Sequence, residues 1–252
     1  MKISLFSSSL RLAKKILNNH DICEIIIEKR ILNKKLVKFT KDYSIPLKIL
    51  DRKENLDDIT YCGNIGVMFG FGFFLTKKVI SKFSKGIINI HPGDLKKFRG
   101  RHPIGWALIK GEKEIVITAH KITDKIDLGK VIHKSKFKIN NNDDDFSLNK
   151  KAERIISGQF ILDVINNYQN CIEIVNKGKY FPSLKGHLDK LNPEKYDSGF
   201  MLGLMRAKKP FGGIKVGNKT FVKCEMYDPK LHQNLYSYNS FLCIDGKRII
   251  LS

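Results

Sequence analysis

No apolar run in this chain approaches the ~20 residues that a bilayer-spanning helix requires. The most apolar window extends only from Ile65 to Leu75, so no membrane partner is expected. The amino terminus, Met1-Lys2-Ile3-Ser4-Leu5-Phe6, lacks a long apolar region and a small-residue cleavage site, and cytoplasm is the expected compartment. The five cysteines, Cys23, Cys62, Cys171, Cys224 and Cys243, are odd in number and scattered. None forms a Cys-x-x-Cys pair or stands near a histidine at zinc-like spacing, so reduced, mostly buried thiols and no metal are expected. The turn after the first strand-like run reads Ser7-Ser8-Ser9. It holds no Gly-x-Gly-x-x-Gly, which excludes the dinucleotide-binding fingerprint. No internal repeat is present.

Acidic residues are also scarce: 25 against 46 basic ones, a formal net charge of +21. Such an excess attracts polyanions, and nucleic acid is the first partner to consider. Lysine, however, supplies 38 of the 46 and is spread among isoleucine and asparagine. That distribution suggests a compositional bias as much as a binding stripe, and no RNA-stacking motif or zinc finger accompanies it. No specific nucleic-acid partner is therefore expected. The same positive field suits a small anionic substrate.

What is present is an alternation of strand-like and helix-like segments. Strands are expected at Lys2–Phe6, Ile22–Ile27, Leu47–Leu50, Ile65–Phe69, Gly86–Ile90, Glu114–Ile122 and Lys130–Ile139. Helices are expected near Leu10–Asn18, Lys34–Asp42, Thr76–Ser84 and Ile104–Lys110. This order argues for an α/β fold with a parallel sheet. Asp143–Asn170 opens with acidic residues and carries Phe160, Ile161, Val164 and Ile165 at helical spacing, the pattern of one long packing helix. Turns at Lys179–Pro182 and Pro210–Gly213, then strands at Thr220–Tyr227, Phe241–Ile244 and Arg248–Leu251, describe a small β-containing C-terminal appendage. The expected division is 1–176 and 177–252.

The most informative segment is Asn89-Ile90-His91-Pro92-Gly93. Successive strand side chains point to opposite faces, so Asn89 and His91 project together and Ile90 projects away. Pro92 lacks a ladder donor and ends the strand. An amide and an imidazole thus sit side by side at a strand's carboxyl end, where α/β sheets place ligands. A polar loop follows, ending Phe98-Arg99-Gly100-Arg101-His102-Pro103, and then a helix with Pro103 suited to its first turn. Asp124-Lys125-Ile126-Asp127-Leu128-Gly129 makes an acidic turn between two strand-like runs. His120 and His133 lie within those runs and read as structural or surface residues. Trp106 reads as core.

Asn-x-His-Pro, a loop ending Phe-Arg-Gly, a helix containing Trp-Ala-Leu-Ile-x-Gly-Glu, and Ile-Asp-x-Gly stand in this order over roughly Val67 to Ile139. Together they resemble the folate-dependent formyltransferases, and Arg-Gly-Arg-His-Pro is most similar to the bacterial nucleotide-sugar N-formyltransferases. The resemblance implies a Rossmann-like catalytic domain with a mainly parallel sheet. It also implies transfer of formyl from 10-formyltetrahydrofolate to the amine of a dTDP- or UDP-linked amino deoxysugar for surface polysaccharide (lipopolysaccharide O-antigen) synthesis, and a homodimer formed through the appendage. Methionyl-tRNA formyltransferase is the alternative enzyme. A non-catalytic, basic RNA-binding scaffold on the same fold is the alternative outside catalysis.

On this resemblance Asn89, His91 and Asp127 are the catalytic set. Asn89 would orient the formyl oxygen. His91 would stabilise the oxyanion when protonated or take the amine proton when neutral, and Asp127 would hold the imidazole. Phe73, Phe74 and Leu75, within Gly70-Phe71-Gly72-Phe73-Phe74-Leu75, read either as a strand end bent by glycines or as part of a pterin pocket. Asp124 reads as a turn former whose loop backbone meets the pterin in the family. Arg99, Arg101 and His102 are candidates for a diphosphate, surface solvation being the alternative. Arg206, in an Arg-Ala…Pro-x-x-Gly element like one in sugar and tRNA formyltransferases, is an acceptor-substrate candidate.

Overall fold

The computed structural model describes residues 1–52, 56–232 and 239–252. Its strands are β1 (Lys2–Phe6), β2 (Asp21–Glu28), β3 (Leu47–Leu50), β4 (Ile65–Met68), β5 (Ile87–His91), β6 (Arg99–Gly100), β7 (Glu114–Lys121), β8 (Gly129–Lys138), β9 (Glu173–Val175), β10 (Tyr180–Phe181), β11 (Ile214–Val216), β12 (Lys219–Phe221), β13 (Cys224–Met226), β14 (Asn239–Leu242) and β15 (Arg248–Leu251). The helices are α1 (Leu10–Leu17), α2 (Lys34–Asp42), α3 (Lys77–Ile80), α4 (Pro103–Ile109), α5 (Asp145–Ile155), α6 (Ile161–Asn166) and α7 (Ser198–Lys208).

The main sheet has the order β3-β2-β1-β4-β5-β7-β8-β9. Its first five strands pair in parallel, whereas β5–β7 and β8–β9 pair antiparallel. Parallel strands covered on both faces need apolar side chains at nearly every position. In β1, Ile3, Leu5 and Phe6 are fully buried, as are Ile25, Ile26 and Ile27 in β2. Each such side chain contributes roughly 1.5–3 kcal/mol relative to exposure. Helix starts follow local capping: Ser9 accepts from the Leu12 N–H, Asn33 from Leu36 and Asp197 from Phe200, each filling one of a helix's open amide donors.

The chain forms two compact units. One comprises Met1–Lys96, Val116–Ser135 and Lys151–Gly178; the other comprises Lys97–Ile115, Lys136–Lys150 and Lys179–Ser252. In the second unit β6 pairs with β10, β11 with β12, and β13-β15-β14 make a three-stranded antiparallel sheet. Trp106 is buried there, and its indole N–H donates to the Pro182 carbonyl at 2.9 Å. Among the described residues no helix is long and apolar enough to cross a membrane.

Three segments and the burial of the cysteines differ from the sequence expectation. The long helix over 143–170 is interrupted by a π-type stretch, Ile156–Phe160, around Gly158, whose ψ of −138° is not helical. Glycine, without a Cβ, tolerates that break. The helix expected over 76–84 is the single turn α3, capped by Thr76, beyond which Phe83 packs into the apolar cluster of Phe6, Val79 and Ile87. The strand expected over 220–227 is divided, because β12 pairs with β11 while β13 pairs with β15. Of the cysteines, Cys243 alone is buried; Cys62 and Cys171 are exposed and Cys23 and Cys224 intermediate, correcting the expectation of mostly buried thiols.

Candidate functional site

β5 carries Asn89 and His91 on one face and ends at His91, just before Pro92. β7 lies beside it with Asn89 opposite His120, and His91 opposite Thr118. Directly opposed residues on antiparallel strands bring their Cβ atoms within about 5.5 Å on the same face. The Asn89 Nδ2 therefore meets the His120 Nε2 at 3.2 Å. The His120 Nδ1 lies 3.2 Å from the Lys121 carbonyl oxygen. A carbonyl can only accept, so Nδ1 carries the proton and Nε2 presents its lone pair to the Asn89 amide, an assignment made from the bonding network. Thr118 Oγ1 donates to the Gly93 carbonyl at 2.9 Å and fixes the turn after Pro92.

Asp127 enters from the turn between β7 and β8 in the left-handed conformation, φ 49°. Aspartate tolerates that region better than most side chains. Its carboxylate faces all three polar groups. Oδ1 accepts from Asn89 Nδ2 at 3.4 Å and lies 3.6 Å from His120 Nε2, and Oδ2 lies 3.8 Å from His91 Nδ1. His91 is 5% exposed and His120 2%. The first unit thus holds an amide, two imidazoles and a carboxylate together in partial burial, where charge interactions are stronger than in water.

The loop 69–76 leaves β4, the strand in parallel register beside Asn89, with Met68 opposite it. Buried Glu28, at the carboxyl end of β2, accepts from the Gly72 N–H and from Arg30 Nε, both at 2.5 Å. That pairing anchors the loop. Phe73 is half-buried and Phe74 is 49% exposed, whereas Leu75 is 2% exposed and packs in the apolar cluster with Phe6 and Leu56. Asp124 pairs with Lys77 at 3.0 Å, and hydrogen bonding to that ammonium holds its carboxyl below the usual value.

The remaining candidates belong to the second unit. Arg99 and Arg101 follow the β6–β10 pairing, their N–H groups donating to the Lys179 and Phe181 carbonyls at 2.9 and 3.1 Å. His102 is the left-handed N-cap of α4, φ 53°. Its Nδ1 accepts from the Leu184 N–H at 2.9 Å and its ring packs on Phe211. Burial, then the charges of Arg101 and Lys208, lower its pKa. Arg206 Nε and Nη2 donate to the Asp143 and Asn140 carbonyls, tying α7 to the segment ahead of α5. The structure therefore brings Asn89, His91 and Asp127 together, and gives His102 and Arg206 backbone-holding bonds. Sequence reasoning missed His120 and Glu28. For His120 the available signal was its two-residue spacing from Thr118 on an amphipathic strand; its partner depends on register.

The chain is 26% identical over 187 residues to the methionyl-tRNA formyltransferase of Buchnera aphidicola subsp. Baizongia pistaciae, covering 69% of this chain and 55% of that one. It is 30% identical over 131 residues to that of Thermodesulfovibrio yellowstonii, covering 50% and 42%. The chain spans about half the length of these curated relatives. Its fold matches WlaRD, a sugar 3N-formyl transferase crystallised with dTDP and 5-N-formyl-THF, with a TM-score of 0.74 at 24% identity over 100% of this chain and 97% of that one. It also matches the N-formyltransferase from Helicobacter canadensis in complex with folinic acid and dTDP-3-aminofucose, with a TM-score of 0.70 at 21% identity over 100% and 98%. The family model for formyl transferase matches residues 28–165. On that match, which takes in β5, β7 and the Asp127 turn, the chain belongs to the formyl transferase family.

Proposed function

We propose that this protein moves a formyl group from 10-formyltetrahydrofolate to the amine of a nucleotide-linked amino sugar. The observation that carries the chemistry is the meeting of Asn89, His91 and Asp127 at one strand end. The donor supplies the formyl carbon. The residues beside the site fit its flat ring: the anchored loop 69–76 offers half-buried Phe73 and exposed Phe74 next to the strand bearing Asn89, and the turn holding Asp124 is fixed by Lys77.

Asn89 is a neutral donor. Its bond to His120 fixes the plane of the amide, and its long 3.4 Å contact with Asp127 is the weaker bond, which an incoming formyl oxygen displaces. The amide then stabilises charge developing on that oxygen as the amine attacks. The new bond joins the amine nitrogen to the formyl carbon; the bond to the folate nitrogen breaks; the amine loses a proton and the folate nitrogen gains one. His91 exchanges that proton near neutral pH, and Asp127, facing Nδ1, orients the ring and stabilises its charged form. Arg99 and Arg101 are the proposed diphosphate contacts.

Support for the sugar acceptor comes from the whole-chain likeness to two sugar enzymes, one holding a dTDP-amino sugar. The curated relatives, named methionyl-tRNA formyltransferases, give methionyl-tRNA as a second reading, which the charge of +21 would suit. Incubation with 10-formyltetrahydrofolate and either a panel of dTDP- and UDP-amino sugars or methionyl-tRNA, followed by mass analysis, separates them. Formylated sugar with unmodified tRNA is expected; formylated tRNA alone would replace the proposal by the second reading.

A further inference from the structure

β1 and β2 do not pair in uniform register. Ile3 faces Ile22 but Ser4 faces Glu24, so Cys23 is the extra residue of a β-bulge. In a regular strand Cys23 and Glu24 would point to opposite faces; a bulge re-aims a side chain. Here the Cys23 thiol, the Glu24 carboxylate and the Cys62 thiol converge, with their ligating atoms all within 4.8 Å of one another. Cys62 lies in the segment leading into β4. That segment is held against β1, where the Gly63 N–H donates to Ser4 Oγ at 3.1 Å and a Cβ on Gly63 would come 2.5 Å from the Ser4 nitrogen. The group lies near the amino ends of parallel strands, whereas Asn89 and His91 occupy the carboxyl end of β5.

We propose that Cys23, Glu24 and Cys62 form a binding site for a thiophilic divalent cation such as zinc. Two sulfurs and a carboxylate oxygen are ligands such an ion accepts, and exposed Cys62 leaves room for water as the fourth. Bond lengths near 2.3 Å for sulfur and 2.0–2.2 Å for oxygen imply ligand separations of roughly 3.5–3.8 Å. A contraction of about 1 Å, within reach of side-chain rotation, closes the site. Glu24 is fully buried and already oriented: it accepts from Ser4 Oγ, from the Cys62 N–H at 2.9 Å and from Lys48 Nζ. Such supporting hydrogen bonds are what a metal-bound carboxylate requires.

The test uses fully reduced, chelator-stripped protein titrated with Co²⁺ alone, read by the thiolate-to-cobalt charge-transfer band, and then with Zn²⁺ by equilibrium dialysis. One ion per chain with a thiolate band is expected. Cys62→Ser and Cys23→Ser should weaken binding by more than the roughly 10–100-fold that loss of a supporting partner costs. Cys171→Ser, at an exposed thiol elsewhere, should leave it unchanged. Because Cys62 is exposed, its serine variant tests the site without disturbing the core. Absence of the thiolate band, a band that persists in Cys62→Ser, or an ion lost on substitution of His91 but not of Cys62 would each overturn the proposal.

Discussion

Substitution of His120 by alanine is the most informative perturbation of the proposed site. The side chain is 2% exposed, and its Nε2 accepts one hydrogen bond from the Asn89 amide at 3.2 Å. A typical hydrogen bond is worth about 0.5–1.5 kcal/mol net. If its whole effect is to orient Asn89, His120→Ala should slow formyl transfer by about 2- to 12-fold, since 1.4 kcal/mol is tenfold. Asn89→Ala removes the donor itself and should cost about 10²–10³ in kcat. The two losses should not multiply: without the Asn89 amide, His120 has nothing to orient, so the double variant should match Asn89→Ala alone. Single-turnover formyl transfer measures the chemical step, and thermal melts of all three variants check the fold. A His120→Ala loss equal to that of Asn89→Ala, or a full multiplicative loss in the double variant, would refute this route of action.

Asp127→Asn keeps a residue that tolerates φ 49° and should lose most turnover with little change in thermal midpoint. Asp127→Ala should lose turnover and also about 1–2 kcal/mol of stability in urea. Gly203→Ala would place a Cβ 2.3 Å from the Leu108 carbonyl oxygen, a backbone atom, so overpacking between α4 and α7 should cost about 1–3 kcal/mol in urea. The His102 pKa lies below its ordinary 6.5 because burial, then the nearby charges of Arg101 and Lys208, disfavour the protonated ring. The unfolded chain binds that proton more readily, so this contribution is complete above pH 6.5 and declines as pH falls through the lowered value. Unfolding free energy measured between pH 7 and 5 should fall less steeply in His102→Asn than in the unmodified protein.

The site was legible where its signal is local. Asn89, Ile90 and His91 alternate along a strand that Pro92 terminates, and Pro103 begins α4; both patterns follow from adjacent residues. The strand boundaries of β1 and β3 follow from short apolar runs in the same way. His120 was not legible, since its meeting with Asn89 depends on β7 turning antiparallel against β5 in one register. The bulge at Cys23 is likewise a property of strand pairing, and it unites residues that no metal-ligand spacing links. Local β-propensity reads 220–227 as continuous, because only tertiary partners divide it between two sheets. The interleaving of the two units, each built from three stretches of chain, also arises from long-range packing.

A crystal structure with a non-transferring formyl-folate bound would test the central proposal directly. The formyl oxygen is expected within hydrogen-bonding distance of Asn89 Nδ2, in place of its contact with Asp127, and with His91 in reach. A formyl group seated away from Asn89 and His91, with the Asn89–Asp127 contact intact, would contradict the account.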